Sequence, residues 1–90
     1  MIIKKFKITN ASGIHARPAT ALVNACMQFN SRITLEVLKK EVDMKSIMGV
    51  LSLGVNSGSL ISIVIDGADE DLAMERITSK IYELNLGKEI

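Results

Sequence analysis

The sequence predicts an α+β fold: an open-faced β-sandwich in which a four-stranded antiparallel sheet is covered on one face by three helices, in the order β-α-β-β-α-β-α. Three observations carry this prediction. Residues 2–8, 32–37 and 60–66 alternate apolar and polar side chains with a period of two, the pattern of strands with one solvated face. Two longer segments, beginning near residues 17 and 70, repeat apolar residues every three or four positions, the pattern of helices with one buried stripe. Half-solvated strands belong to antiparallel sheets, because an all-parallel sheet is buried on both faces.

The first strand places Ile2, Phe6 and Ile8 on one face and Lys5 and Lys7 on the other, with Lys4 the one charge on the apolar side. The stretch TNASGIH over residues 9–15 is turn chemistry, and Pro18 suits the first turn of a helix, where a missing N–H leaves no bond unmade. Ala19, Leu22, Val23, Cys26 and Met27 then form a helical stripe that runs to about residue 27. Ile33, Leu35 and Val37 share one face of the second strand, and a weaker third strand is expected over about 41–44. Ser46 followed by IMGVLSL and Gly54 predicts a short helix with a serine cap and a glycine stop. Ile61, Ile63 and Ile65 line the strongest strand. After the turn Asp66-Gly67-Ala68-Asp69, Glu70 and Asp71 open the last helix at the positive end of its dipole, and Ala73, Ile77, Ile81 and Leu84 supply its stripe.

Composition narrows the function classes. Ninety residues are expected to make a single domain, residues 1–90, with a thin core, and 48% apolar residues with balanced charge argue against disorder. Eleven basic and ten acidic side chains leave +1, and two Phe, one Tyr and no Trp offer little for base stacking, so no direct nucleic-acid contact is expected. A lone Cys26 makes no intramolecular disulfide, and one cysteine with one histidine falls short of a structural zinc site, so no metal is expected. Cys26 itself reads as a small buried hydrophobe. With no secretory leader and no run of 18 apolar residues, the chain is expected to be cytoplasmic and not inserted in a membrane.

Chemistry concentrates at two places. His15 lies in GIHARPAT, immediately before a helix whose first N–H groups have no intrahelical acceptor. A phosphoryl group on its ring would meet those donors, and Arg17 is near enough in sequence to add a charge-assisted bond. The same residues also fit a plain helix start: His15 as a cap, Arg17 as a solvated charge, Pro18 as a stiff first turn. Ser46 is fully explained as a cap, although a phosphate there would also meet the helix dipole favourably. Behind it, Ile47, Met48 and Leu51 fall on a face away from Val50 and Leu53, which makes them either core or an exposed docking patch.

Taken together, GIHARPAT and KSIMGVLSLGV at their observed separation, with the later GADE turn, resemble the HPr family over essentially the whole chain. These are the histidine-containing phosphocarriers of the bacterial phosphoenolpyruvate:sugar phosphotransferase system, and the resemblance is to the Gram-positive type with a regulatory serine. It implies a carrier rather than an enzyme, one that takes phosphate from enzyme I onto His15 and passes it to a sugar-specific enzyme IIA. Arg17 would assist transfer, with Ser12, Ala16 and Arg17 binding the phosphate. It further implies ATP-dependent phosphorylation of Ser46 by HPr kinase/phosphorylase and, in that form, corepression with the catabolite control protein. Ile47, Met48 and Leu51 would be the docking residues. No cofactor is implied, the phosphoryl group originating in phosphoenolpyruvate, and a monomer is expected of a shuttle that meets several partners in turn.

Two departures from the family pattern stand out. Val37-Leu38-Lys39-Lys40 carries no glycine where a tight hairpin usually has one, so a longer or different turn is expected. Position 51 is Leu where the Gram-positive pattern more often has Met, a volume-conserving exchange. The rival readings are a regulatory paralogue, which the presence of His15 disfavours, and the nitrogen-related phosphotransfer branch, which KSIMGVLSLGV disfavours. A hydrolase would need a nucleophile elbow that is missing.

Overall fold

A computed structural model of the protein describes residues 1–90. Eight elements follow in order: β1 (Ile2–Ile8), α1 (Ala16–Cys26), β2 (Arg32–Val37), β3 (Lys40–Asp43), α2 (Ile47–Ser52), β4 (Leu60–Asp66), α3 (Glu70–Glu83) and β5 (Gly87–Glu89). The strands form one antiparallel sheet in the order β3-β2-β4-β1-β5, and the three helices cover one face of it. The expected α+β fold is therefore present, with one short strand added at the β1 edge. Nothing in Gly87-Lys88-Glu89 alternates. These residues extend because Gly87 lies so close to the Lys7 carbonyl that a Cβ would run into it, and the Lys7–Lys88 register follows.

Register explains the core. Pairing Phe6 with Ile61, Ile33 with Ile65 and Leu35 with Ile63 brings all of these side chains to one face. Against them lie Ala19, Leu22, Val23 and Cys26 of α1 and Ala73, Met74, Ile77 and Ile81 of α3, with Leu84 partly buried at the edge, so the predicted stripes meet the strand faces in one buried cluster. Met27, expected in the first stripe, is instead the C-cap of α1 and 61% exposed. Burying each Ile or Leu in that layer contributes roughly 1.5–3 kcal/mol before entropy is set against it. Cys26 is wholly buried, and burial pushes its thiol up to about 12, as befits a small hydrophobe rather than a nucleophile. No helix is long and apolar enough to cross a membrane.

The β2–β3 connection differs from expectation. Val37 pairs with Lys40, so the turn is the two-residue Leu38-Lys39, and both residues adopt positive φ, 51° and 68°. That is the backbone of a tight hairpin whose twist suits its strands, normally given to Asn-Gly. The Leu38 side chain points into solvent, 89% exposed, so the turn bears the backbone strain without a further clash against the core. The strain of roughly 1–2 kcal/mol per residue is outweighed by a register that sets Val42 and Met44 on the core side beside Leu35 and Val37. The third strand accordingly begins at Lys40, one residue before the expected start, and Met44 follows it into the core, its N–H donating to the Ile33 carbonyl.

Candidate functional site

The loop that presents His15 is held by backbone. Gly13 donates its N–H to the Asn10 carbonyl at 3.0 Å, and the Asn10 side-chain amide donates to the Gly13 carbonyl at 2.8 Å, closing a compact turn. The next N–H, that of Ile14, donates to the Val55 carbonyl at 3.0 Å, which pins the loop to the chain leaving α2. Gly13 is required here twice over. Its φ is +63°, and a Cβ would run into the Val55 carbonyl oxygen. Ile14 is buried, so the loop is anchored from below, and the next side chain, His15, is exposed.

His15 is the N-cap of α1, with extended backbone (φ −89°, ψ −173°), and its carbonyl accepts the Ala19 N–H at 3.0 Å. Its imidazole makes no capping hydrogen bond. The N–H groups of Ala16 and Arg17 donate to no acceptor in the chain, Pro18 has none to offer, and no carboxylate sits in the first turn to neutralise the positive end of the dipole. Thr20 steadies the turn by donating its hydroxyl to the Ala16 carbonyl at 2.8 Å. An exposed imidazole at a helix start with free donors and an exposed arginine in the first turn is a place where an anion attached to the ring would be solvated by protein. Ser12, Ala16 and Arg17 are all exposed around it, on the turn before His15 and the helix turn after it.

Ser46 lies elsewhere on the same layer, at the N-cap of α2. Its hydroxyl accepts the Gly49 N–H at 3.0 Å and its carbonyl accepts the Val50 N–H at 3.0 Å. Gly49 suits the closeness, since a Cβ there would stand 3.1 Å from the serine oxygen. The segment before the cap is also tied down: Lys45 donates its N–H to the Asp43 carboxylate at 2.9 Å and its ammonium to the Phe29 carbonyl, just beyond α1, at 2.7 Å. Of the two readings open for the apolar residues behind Ser46, the structure takes exposure for Ile47 and Met48, while Leu51 packs partly against the core. Met48 is 77% and Ile47 37% exposed, Leu51 is half-buried, and Val50 alone enters the core. His15 and Ser46 are thus not brought into one pocket. Helix α2 separates them, with Ser46 at its start and the Val55 carbonyl that holds the His15 loop just past its end.

Asn10 and Val55 hold the site without having been legible in it. Asn10 sits three residues before a positive-φ glycine, a local signal that could have been read as a turn lock. Val55 acts through its backbone carbonyl across the fold, and no side-chain pattern announces that.

The chain matches the family described as "PTS HPr component phosphorylation site" over residues 2–82. Among solved structures it is similar to the histidine-containing phosphocarrier protein of a Mycoplasma, at 34% identity and a TM-score of 0.94, covering 96% of this chain and 98% of that one. It is similar to the phosphocarrier protein HPr of Bacillus anthracis, at 34% identity and a TM-score of 0.81, covering 88% and 94%. It is also similar to Crh of Bacillus subtilis, a catabolite-repression protein seen as an intertwined, swapped dimer, at 35% identity and a TM-score of 0.72, covering 92% and 95%. With a family match over nearly its whole length and a fold that superposes on these relatives throughout, the chain belongs to the HPr family, the phosphocarrier proteins of the phosphotransferase system, which carry phosphoryl groups without being enzymes.

Proposed function

We propose that the protein relays a phosphoryl group from phosphorylated enzyme I to sugar-specific enzyme IIA proteins through a phosphohistidine at His15. The observation that carries this reading is the uncapped N-terminus of α1, with an exposed imidazole at the N-cap beside the free N–H groups of Ala16 and Arg17. In loading, a lone pair on the His15 ring attacks phosphorus, the N–P bond of the enzyme I phosphohistidine breaks and its electrons return to that ring. In delivery, a histidine of enzyme IIA attacks, the N–P bond at His15 breaks and its electrons return to the His15 ring. Between the two steps Ala16 and Arg17 donate backbone hydrogen bonds to the phosphate oxygens, the Arg17 guanidinium adds charge, and Ser12 lies on the adjoining turn. The protein needs no cofactor for this, since the phosphoryl group comes from phosphoenolpyruvate through enzyme I.

Ser46 is the regulatory site in this reading. HPr kinase/phosphorylase transfers the terminal phosphoryl group of ATP to its hydroxyl, releasing ADP and a proton, and the product serves as corepressor with the catabolite control protein. A phosphate there keeps an acceptor at the start of α2, so the fold survives while two charges appear beside Ile47, Met48 and Leu51, the surface that docks the partners.

The test is transfer from phosphoenolpyruvate with catalytic enzyme I, run beside His15→Ala. One acid-labile, base-stable phosphate per chain is expected on the wild type and none on the variant. No label with a demonstrably active enzyme I would overturn the carrier reading and leave the regulatory paralogue, working through the Ser46 surface, in its place.

A further inference from the structure

The chain carries six sulfur atoms, in five methionines and one cysteine, and phosphoryl transfer uses none of them. Met44, Met74 and Cys26 are buried in the core cluster. Peroxides react with the thiolate of a cysteine, and burial pushes the Cys26 thiol up to about 12, so it offers almost none at neutral pH. A thioether has no proton to lose, and access alone decides whether it reacts. Met1, Met27 and Met48 are exposed, and Met48 is the most open of the three.

The fold sets two of these at one end of the helix layer. The chain entering α1 is held by the Val55 carbonyl, just past the end of α2, and the chain leaving α1 is held at the start of α2, where the Lys45 ammonium donates to the Phe29 carbonyl. The two helices therefore run antiparallel. Met27, the C-cap of α1, and Met48, in the first turn of α2, both lie at the Ser46 end, and His15 lies at the other. Met1 stands apart, its amino group bonded to Glu70 of α3. Around Met48 the surface is apolar. Helix α2 has no charged side chain. Ser46 accepts the Gly49 N–H and Ser52 donates to the Gly49 carbonyl, so both hydroxyls are turned to their own backbone. What α2 offers outward is Ile47 and Met48, with Leu51 half-buried behind them.

We propose that Met48 is a site of reversible oxidation by peroxides, and that its sulfoxide disables the surface on which phosphoryl-transfer partners dock. The second half rests on the carrier reading above. In the step, the Met48 sulfur attacks one peroxide oxygen, an S–O bond forms as the O–O bond breaks, and the departing oxygen takes up the proton, leaving as water or an alcohol. Sulfur loses two electrons and the peroxide gains them. A thiol-dependent methionine sulfoxide reductase reverses this, two thiols becoming a disulfide while the oxygen leaves as water. The sulfoxide is polar where the thioether was apolar, and against the apolar surface that Ile47 and Met48 fit its oxygen goes unpaired. That penalty falls on association and leaves the chemistry at His15 untouched. A rise of roughly tenfold in the KM of enzyme I for this chain is therefore expected, with kcat unchanged.

Hydrogen peroxide on the folded full chain, followed by peptide mass mapping, tests the site. Met48 is expected to gain one oxygen as fast as free methionine does, and sulfoxide reductases to remove it. Met44, Met74 and Cys26 should be spared, which also shows that the treated chain is folded. Oxidation of Met48 no faster than that of Met44 would overturn the proposal. Acceptance of phosphate from phosphorylated enzyme I is then compared before and after treatment. The rise in KM is expected in the wild type and in Met27→Leu, is expected to vanish after the reductases, and should be absent when treated Met48→Leu is set against the same variant untreated. An unchanged KM with Met48 fully oxidised, or a rise that persists in Met48→Leu, would overturn the docking half. An untreated chain that accepts no phosphate overturns the carrier reading and the docking half with it, whereas the oxidation site is decided by the mapping.

Discussion

Helices α1 and α2 begin with residues in the same formal position, His15 and Ser46, both extended and both sending the chain into a helical turn. At Ser46 the side chain closes the helix by accepting the Gly49 N–H. At His15 the side chain makes no such bond, and the Ala16 and Arg17 N–H groups stay open. A satisfied helix end contributes stability, whereas an unsatisfied one retains binding capacity that a phosphate can use. A third helix start shows another solution. Asp69, at the N-cap of α3, turns its carboxylate away from its own helix to accept the Asn30 N–H, the Ser31 N–H and the Ser31 hydroxyl, which fastens the start of β2 to the start of α3. Free N–H groups remain at all three starts, on Ala16 and Arg17, on Ile47 and Met48, and on Asp71 and Leu72. Helix α3 sets Glu70 and Asp71 in its first turn, and α1 alone places an exposed imidazole beside its open donors.

The contrast is broken most severely at Gly13. Gly13→Ala combines a positive-φ penalty with a clash against the Val55 carbonyl, so a loss of about 2 kcal/mol or more is expected in urea unfolding, with slowed phosphoryl transfer as the His15 loop shifts. Next comes a paired measurement at the two caps. His15→Ala should abolish transfer while moving stability by no more than about 0.5 kcal/mol, because an exposed side chain with no hydrogen bond is removed. Ser46→Ala should do the reverse, lowering stability by about 1 kcal/mol while His15 still accepts phosphate from enzyme I. Equal stability losses at both positions would erase the distinction.

A smaller effect is expected at the hairpin, which neither helix start touches. Replacing Leu38-Lys39 by Asn-Gly should raise stability by roughly 1 kcal/mol with transfer unchanged, since both residues are held at positive φ.

The smallest effect concerns acid. The hydrogen bond from the Ser31 hydroxyl, then the backbone N–H donors, hold the Asp69 carboxyl below its ordinary value of 3.8. Glu70 is lowered likewise from 4.5, chiefly by the Gly67 N–H and then by the amino terminus. For a carboxylate depressed in the folded state the stabilisation is present above the unfolded value and is lost as pH falls through the folded one. The stability curve should therefore decline below about pH 4, and Asp69→Asn should flatten that decline without changing its sign; an unaltered slope would show that Asp69 is not its source.

Much of this was legible because helices and strands advertise their buried faces. The spacing of Leu22, Val23 and Cys26, and the alternation of Ile61, Ile63 and Ile65, specify surfaces that water disfavours wherever the chain places them. His15 stood out because His-Ala-Arg-Pro at a helix start combines a nucleophile, a cation and a fixed first turn, all local in sequence. The hairpin was misjudged for a reason of the opposite kind. Local preference argued against positive φ at Leu38 and Lys39, and cross-strand register overrode it, because β2 is already fixed against β4 and moving the turn by one residue would carry Val42 and Met44 away from the core.

By itself, then, the sequence determined the fold class, the faces of the elements, and the residues with chemistry to offer, because each of these depends on side chains close along the chain. Tertiary structure alone decided that the Val55 carbonyl would pin the His15 loop, that Gly87 would extend a fifth strand beside Lys7, and that Ile47 and Met48 would face water while Val50 did not. Those outcomes depend on which backbones approach one another. A carbonyl or an N–H is the same in every residue but proline, so its partner is settled only when the sheet and helices have closed.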